Sequence, residues 1–223
     1  MSFRKPVRIF WLLVLVDLVA VFFDVSKLIF IAKPLLMPSL VLELVYAGVT
    51  SNKKLVLAGL FFSWMGDIFL LFESINPLFF IFGLISFLFT HVCYIIFFLS
   101  TSSAMPSLLK KQPIYILLIL SYGTGLVWLL FPHLGKLQIP VILYSVVICS
   151  MLLCSIHIYL KVKEPANRYY VSGAAFFVLS DSLLAIDKFY HTIPFAGIWV
   201  MLSYCMAQYF IVRGFIEWNV STK

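Results

Sequence analysis

Apolar runs near 9–30, 34–49, 55–73, 78–99, 113–131, 138–160, 169–187 and 193–213 follow one another, broken only by short clusters of charge, Pro and polar residues. Most are close to the length of about 20 residues that a helix needs to cross the hydrocarbon of a bilayer. In lipid a backbone must satisfy its own N–H and C=O groups, so such runs read as helices. The expected fold is all-α: a polytopic membrane protein of about eight transmembrane helices, forming a single integral membrane domain over residues 1–223. Composition agrees, with 63% hydrophobic and 11% charged residues. An ordinary soluble domain has roughly 45–50% and about 25%, so a soluble globular protein is excluded. The first run follows Arg4, Lys5 and Arg8 as a signal peptide would, but no small-residue cleavage pattern follows Phe22-Phe23-Asp24. It reads as a membrane anchor.

The net charge of +7 would raise the question of nucleic acid in a soluble chain. Here the basic residues fall between apolar runs, a pattern of topology and lipid headgroups, and no nucleic acid partner is expected. With a cytoplasmic N-terminus, that side carries Arg4, Lys5, Arg8, Lys53, Lys54, Lys110, Lys111, Lys161, Lys163, Arg168, Arg213 and Lys223, which is 12 of the 16 basic residues. The opposite side carries Lys27, Lys33, Lys136 and Lys188. Both termini are therefore expected to be cytoplasmic. Cys93, Cys149, Cys154 and Cys205 lie inside apolar runs with no Cys-x-x-Cys pair, so neither a zinc site nor a disulfide framework is expected.

The third and seventh runs echo one another. Gly59, Phe62, Asp67 and Leu70 recur as Gly173, Phe176, Asp181 and Leu184, and Gly83 and Leu88 recur as Gly197 and Leu202, each 114 residues on. The seventh run comes four runs after the third, so the copies run in the same direction, and the echo suggests two parallel four-helix repeats. It would place Asp67 and Asp181 at similar depth.

An intramembrane carboxyl group is costly unless it is paired or faces a polar cavity, which makes each a functional candidate. Asp17, Asp67 and Asp181 are the clearest, with Glu43 in the second run. For Asp17 and Glu43 a structural contact between helices serves equally well. Two carboxyl groups in one low-dielectric cavity do not both ionise easily, which yields an acid and a base from one residue type. Acid-catalysed hydrolysis needs that pair; peptide hydrolysis or proton-coupled transport could also use it. His91 and Tyr94 share a helix face, although a lone membrane His is more often an interhelical hydrogen bond. Ser180 precedes Asp181, but without a Gly-x-Ser-x-Gly elbow it reads as a hydrogen-bond partner and not as a nucleophile. Lys33-Pro34 opens the second run, where Lys33 could snorkel or hold a lipid phosphate. Tyr144 and Gln208 are polar and mid-helix. His133, His157 and His191 lie near helix ends and read as interfacial.

The blocks Gly66-Asp67-Ile68-Phe69-Leu70-Leu71, Phe82-Gly83-Leu84 leading to His91-Val92-Cys93-Tyr94, and Gly173 to Ala185 containing Ser180-Asp181-Ser182 resemble the YhhN-like lysoplasmalogenase family. Lys33-Pro34, Tyr144 with Ile148 and Met151, and Tyr204 with Ala207 and Gln208 are similar to it as well. The first 30 residues carry no resemblance, so Asp17 and Asp24 gain nothing from it. The resemblance implies a multi-span enzyme that hydrolyses the vinyl ether bond of lysoplasmenylethanolamine or lysoplasmenylcholine, with a lysophospholipid substrate drawn from the membrane. That reaction asks for one positioned acid and one anion, and needs no cofactor, metal or nucleophilic serine. Asp67 and Asp181 are then expected to share the catalytic roles, tuned by His91 and Ser180, while Lys33, Tyr94, Tyr144 and Gln208 contact headgroup or water. A bacterial inner membrane is the expected location. An intramembrane aspartyl protease fits poorly, because Trp64-Met65-Gly66-Asp67 lacks the Gly-x-Gly-Asp pattern and no Pro-Ala-Leu segment occurs. A proton-coupled small-molecule or lipid transporter is the alternative from another class.

Overall fold

A computed structural model describes residues 4–49, 53–101 and 105–221. Its elements are α1 (Arg4–Phe22), α2 (Ser26–Tyr46), α3 (Lys53–Leu71), α4 (Leu78–Leu99), a short α5 (Leu108–Lys111), α6 (Ile114–Leu130), α7 (Gln138–His157), α8 (Ala166–Phe189) and α9 (Ala196–Ser221), with two 3₁₀ turns between α6 and α7. No strand occurs among the described residues. Seven helices are long and apolar enough to cross a membrane: α2, α3, α4, α7, α8, α9 and the stretch Ile114–His133 that begins with α6. The first expected run holds α1, whose 19 residues include Arg4, Lys5, Arg8 and Asp17 and which is not among the seven. The protein is therefore an all-helical, multi-pass membrane protein. Lys223, which entered the charge count, lies outside the described residues.

The chain divides into two units, Met1–Tyr94 and Ile95–Lys223. In the first, the break between α1 and α2 falls at residues 23–25, not at the expected 31–33. Asp24 adopts a left-handed φ of 53°, Asp24 N–H donates to Val21 O at 3.3 Å and Val25 N–H donates to Ala20 O at 2.8 Å. These two bonds form a Schellman turn, with Asp replacing the usual Gly at the left-handed position. The expected first run extends through Asp24, Ser26 and Lys27 to residue 30, because the apolar residues on both sides outweigh them, and so it passes over this turn.

Lys33-Pro34 consequently lies inside α2 and does not open it, and Pro38 is inside as well. Proline at 38 removes the N–H that the Pro34 carbonyl would accept. Trp64 of α3 supplies the substitute, its Nε1–H donating to Pro34 O at 2.9 Å. Neighbouring side chains commonly rescue proline in membrane helices this way.

α3 and α4 pack as an antiparallel pair along a seam of three- and four-residue steps. A Cβ on Gly59 would come within 2.8 Å of the Tyr94 ring, one on Gly66 within 2.8 Å of Phe87, and one on Gly83 within 3.0 Å of Leu70. Between them Ser63 Oγ and Thr90 Oγ1 are hydrogen-bonded at 3.0 Å. Gly59, Ser63, Gly66 and Leu70 thus ascend as Tyr94, Thr90, Phe87 and Gly83 descend, the spacing of knobs-into-holes packing. Small residues opposite large ones bring the two backbones close.

In the second unit α8 and α9 form a similar pair. Gly173 lies against Ile211 and Gly214 against the Tyr170 ring, where added Cβ atoms would come within 2.7 Å and 2.9 Å. Phe177 meets Tyr204 edge to face at 5.9 Å between centroids. Relative to the first pair, the first helix is displaced by 114 residues but the second by 117, since Tyr94 faces Gly59 while Ile211 faces Gly173. The Gly83/Gly197 and Leu88/Leu202 identities are therefore three residues out of register in the packing.

Candidate active site

Asp67 and Asp181 each follow a seam residue. Asp67 comes after Gly66, and Asp181 after Ser180, whose hydroxyl donates to Val200 O of α9 at 3.0 Å. They are the fifteenth residue of α3 and the sixteenth of α8. In an antiparallel helix pair, the residue after a seam position turns to the same side on both helices, because each step rotates by about 100° and the chain directions are opposed. Asp67 consequently shares a flank of the α3–α4 pair with His91, which follows Thr90. The same argument places Asp181 and Gln208 on one flank of the α8–α9 pair. In both cases the two residues are about 7.5 Å apart along the axis, at 1.5 Å per residue. Asp67 is 1% exposed, and His91, Tyr94 and Gln208 are fully buried. Lys33 is half-buried.

Asp181 has the best-defined surroundings. Tyr144 of α7 donates its hydroxyl proton to Asp181 Oδ2 at 2.5 Å. Tyr122 of α6 donates to Ser182 Oγ at 2.8 Å, and Ser182 in turn donates to Val178 O at 2.6 Å. Two tyrosines from two helices therefore fix consecutive residues of α8. Tyr144 lies on the buried face of α7 together with Ile148 and Met151, one to two helical turns further along. A narrow cavity opens beside this group, between α6, α7 and α8. Its polar wall is Tyr122, Tyr144, Ser145, Asp181 and Ser182; the rest is mainly aliphatic, including Leu126, Leu130 and Val178. The lining is mostly apolar, with a few polar groups converging on it, the character of a ligand-binding wall.

The structure thus joins Tyr144 to Asp181, while Ser180 is occupied with the α9 backbone. The sequence reading overlooked Tyr122. Its signal was faint: a Tyr in an apolar run next to Gly123, where a Cβ would come within 2.8 Å of Cys149 Sγ. Among the described residues, no cluster of three or more His, Cys, Asp or Glu could hold a metal ion. Asp17 is 1% exposed and neither carboxyl oxygen has a hydrogen-bond partner, although Lys33 on α2 acts on it electrostatically.

A buried carboxyl group at the edge of one apolar helix pair, and a half-buried one facing a cavity at the edge of another, define a multi-pass membrane protein with intramembrane carboxyl groups. The family described as the YhhN family matches residues 28–215, and the chain belongs to it. The match begins beyond α1, in keeping with the lack of resemblance in the first 30 residues, and leaves Asp17 outside. The chain is also similar to proteins named lysoplasmalogenase in Mycobacterium bovis and Mycobacterium tuberculosis, 33% identical to each over 139 residues. That stretch is 61% of this chain and 51% of each relative, so the chain spans about half the length of the curated relatives it matches. No solved structure matches.

Proposed function

We propose that the protein is a lysoplasmalogenase of a bacterial cell membrane, hydrolysing the vinyl ether bond of a lysophospholipid to a fatty aldehyde and glycerophosphoethanolamine or glycerophosphocholine. Family membership and the names of the mycobacterial relatives support the substrate class. The observation that carries the chemistry is Asp181, held by the Tyr144 hydroxyl at the wall of a largely apolar cavity.

In this reading an acid delivers a proton to the second carbon of the alkenyl chain, and the first carbon becomes an oxocarbenium ion. Water adds there and gives up a proton to a carboxylate. The resulting hemiacetal breaks its bond to the glycerol oxygen, which leaves as an alcohol, and the chain leaves as an aldehyde. One water is consumed. Tyr144 donates to Asp181, so Asp181 is the acceptor in that bond, the posture of the anion that steadies the cation and orients water. Asp67 is then assigned the acid role, with His91 on its flank positioning it. Lys33, Tyr94 and Gln208 are assigned to headgroup or water.

Mass spectrometry of lipid products tests this. Purified protein should release free aldehyde from lysoplasmalogens, and Asp67→Asn and Asp181→Asn, still folded, should lose about 10²–10⁴-fold in rate. Full activity in either variant removes that aspartate from the mechanism. Substrate-dependent proton flux in liposomes without aldehyde would make the protein a carrier instead.

A further inference from the structure

We propose that Asp17 is a positioning residue: it holds the ammonium group of Lys33 within the membrane at the level of Asp67, where that ammonium takes the phosphate of the lysophospholipid. This rests on the reading above and adds to it what carries the headgroup and what keeps that group in place.

Asp17, Lys33 and Asp67 belong to three successive helices of the first unit, α1, α2 and α3. The short turn at 23–25 makes α1 and α2 antiparallel neighbours, with Asp17 five residues before Phe22 at the end of α1 and Lys33 seven residues after Ser26 at the start of α2. The register of α2 on α3 is fixed at two points. Trp64 Nε1–H donates to Pro34 O at 2.9 Å, and the Phe30 and Phe72 rings meet edge to face at 5.5 Å between centroids. Lys33 lies between Phe30 and Pro34, and Asp67 lies between Trp64 and Phe72, four residues before the end of α3. At about 1.5 Å per residue, Asp17, Lys33 and Asp67 stand about 7.5, 10.5 and 6 Å in from the same end of their helices. They share one level to within a helical turn.

Asp17 lies on the buried stripe of α1 with Phe10, Val14 and Ala20, is 1% exposed, and accepts no hydrogen bond at either oxygen. The charge that acts on it is that of Lys33, which is half-buried. Each would be out of place alone. An isolated carboxylate between apolar helices is costly, and an isolated lysine extends its stem toward the nearest interface. Opposite charges at one depth offset both, and removal of either leaves the other uncompensated. No hydrogen bond joins the two, so Asp17 takes none of the donors of the ammonium and leaves them for a third group.

The substrate asks for a cation at this level. In a lysoplasmalogen only the glycerol backbone separates the vinyl ether oxygen from the phosphate, so an acid at Asp67 and a cation for the phosphate must stand at nearly one depth. Lys33 meets that demand only while it does not extend away. Asp17 lies before the family match, which begins at residue 28 and includes Lys33 and Asp67.

Affinity is read in detergent with two ligands that cannot be hydrolysed, a saturated ether lysophosphoethanolamine and the matching alkylglycerol, which has no phosphate. Wild-type protein should prefer the lysolipid. Asp17→Asn, shown to be folded by thermal unfolding, should bind the lysolipid about tenfold more weakly and the alkylglycerol within about twofold of wild type, and Asp17→Glu should restore most of the loss. In a Lys33→Met background no cation remains to be held, so Asp17→Asn should change lysolipid affinity by less than about twofold. That comparison also decides the matter if Asp17→Asn alone does not fold. Unchanged lysolipid affinity in folded Asp17→Asn overturns the proposal. Equal losses for the two ligands, which a structural role of Asp17 gives, overturn it as well, as do an added loss in the Lys33→Met background and a wild-type protein without preference for the lysolipid. These affinities need no turnover. A wild-type protein that releases no aldehyde therefore removes the assigned reaction, and the binding arms still decide the role of Asp17.

Discussion

A carboxyl group inside an apolar helix needs a partner or a wet cavity, and the aspartates of this chain differ in what they have. Asp181 accepts a hydrogen bond from Tyr144 beside a cavity, while Asp67 is closed off on the α3–α4 flank that also carries His91. Tyr144→Phe tests what that bond does. The ring would still sit on the buried face of α7 with Ile148 and Met151, so the protein should fold, but Asp181 would lose the donor that orients it. We expect kcat to fall about 10–100-fold with a smaller change in KM, the pattern of an interaction that matters most in the transition state. Unchanged kcat would reduce Tyr144 to a packing residue. The Gly-Asp and Ser-Asp dipeptides were legible in the sequence as unusual. Their shared logic was not, because Gly66 and Ser180 are seam residues only once the opposing helix is in place.

At the scale of helices, proline and glycine decide where the chain can go. Hydropathy located every long helix, yet it joined α1 to part of α2, because the Schellman turn at Asp24 leaves only three residues between the two helices. The internal prolines of α2 looked like a boundary and are not one, since Trp64 takes the carbonyl that Pro38 leaves unpaired. That interpretation predicts a coupling. Trp64→Phe should lower stability by about 0.6–1.7 kcal/mol, the range of interhelical hydrogen bonds in membranes. In a Pro38→Ala background, where residue 38 regains its N–H, the same change should cost much less. Thermal unfolding of the four variants in detergent measures the cycle, and equal losses in both backgrounds would refute it. The 114-residue echo is only partly realised. Gly59 and Gly173 occupy matching seam positions, as do the residues before Asp67 and Asp181, but the second helix of each pair is three residues out of step with it.

For the molecule as a whole, the distribution of charge makes the clearest prediction. With 12 of 16 basic residues on one side of the expected topology, reporters fused at residues 1 and 223 should both report the cytoplasm. Opposite locations would mean that α1, with its Arg4, Lys5, Arg8 and Asp17, does not cross. By itself the sequence determined the environment, the helical class and the family, because lipid leaves a backbone no alternative to helices and because rare polar residues stand out in apolar runs. Only the tertiary structure decided which residue meets which. The helix carrying Tyr144 is separate from the one carrying Asp181, and Gly123 matters because its lack of a side chain lets α6 close onto Cys149 of α7. Contacts between helices depend on crossing and register, and a one-dimensional pattern of apolar residues is nearly the same for many registers.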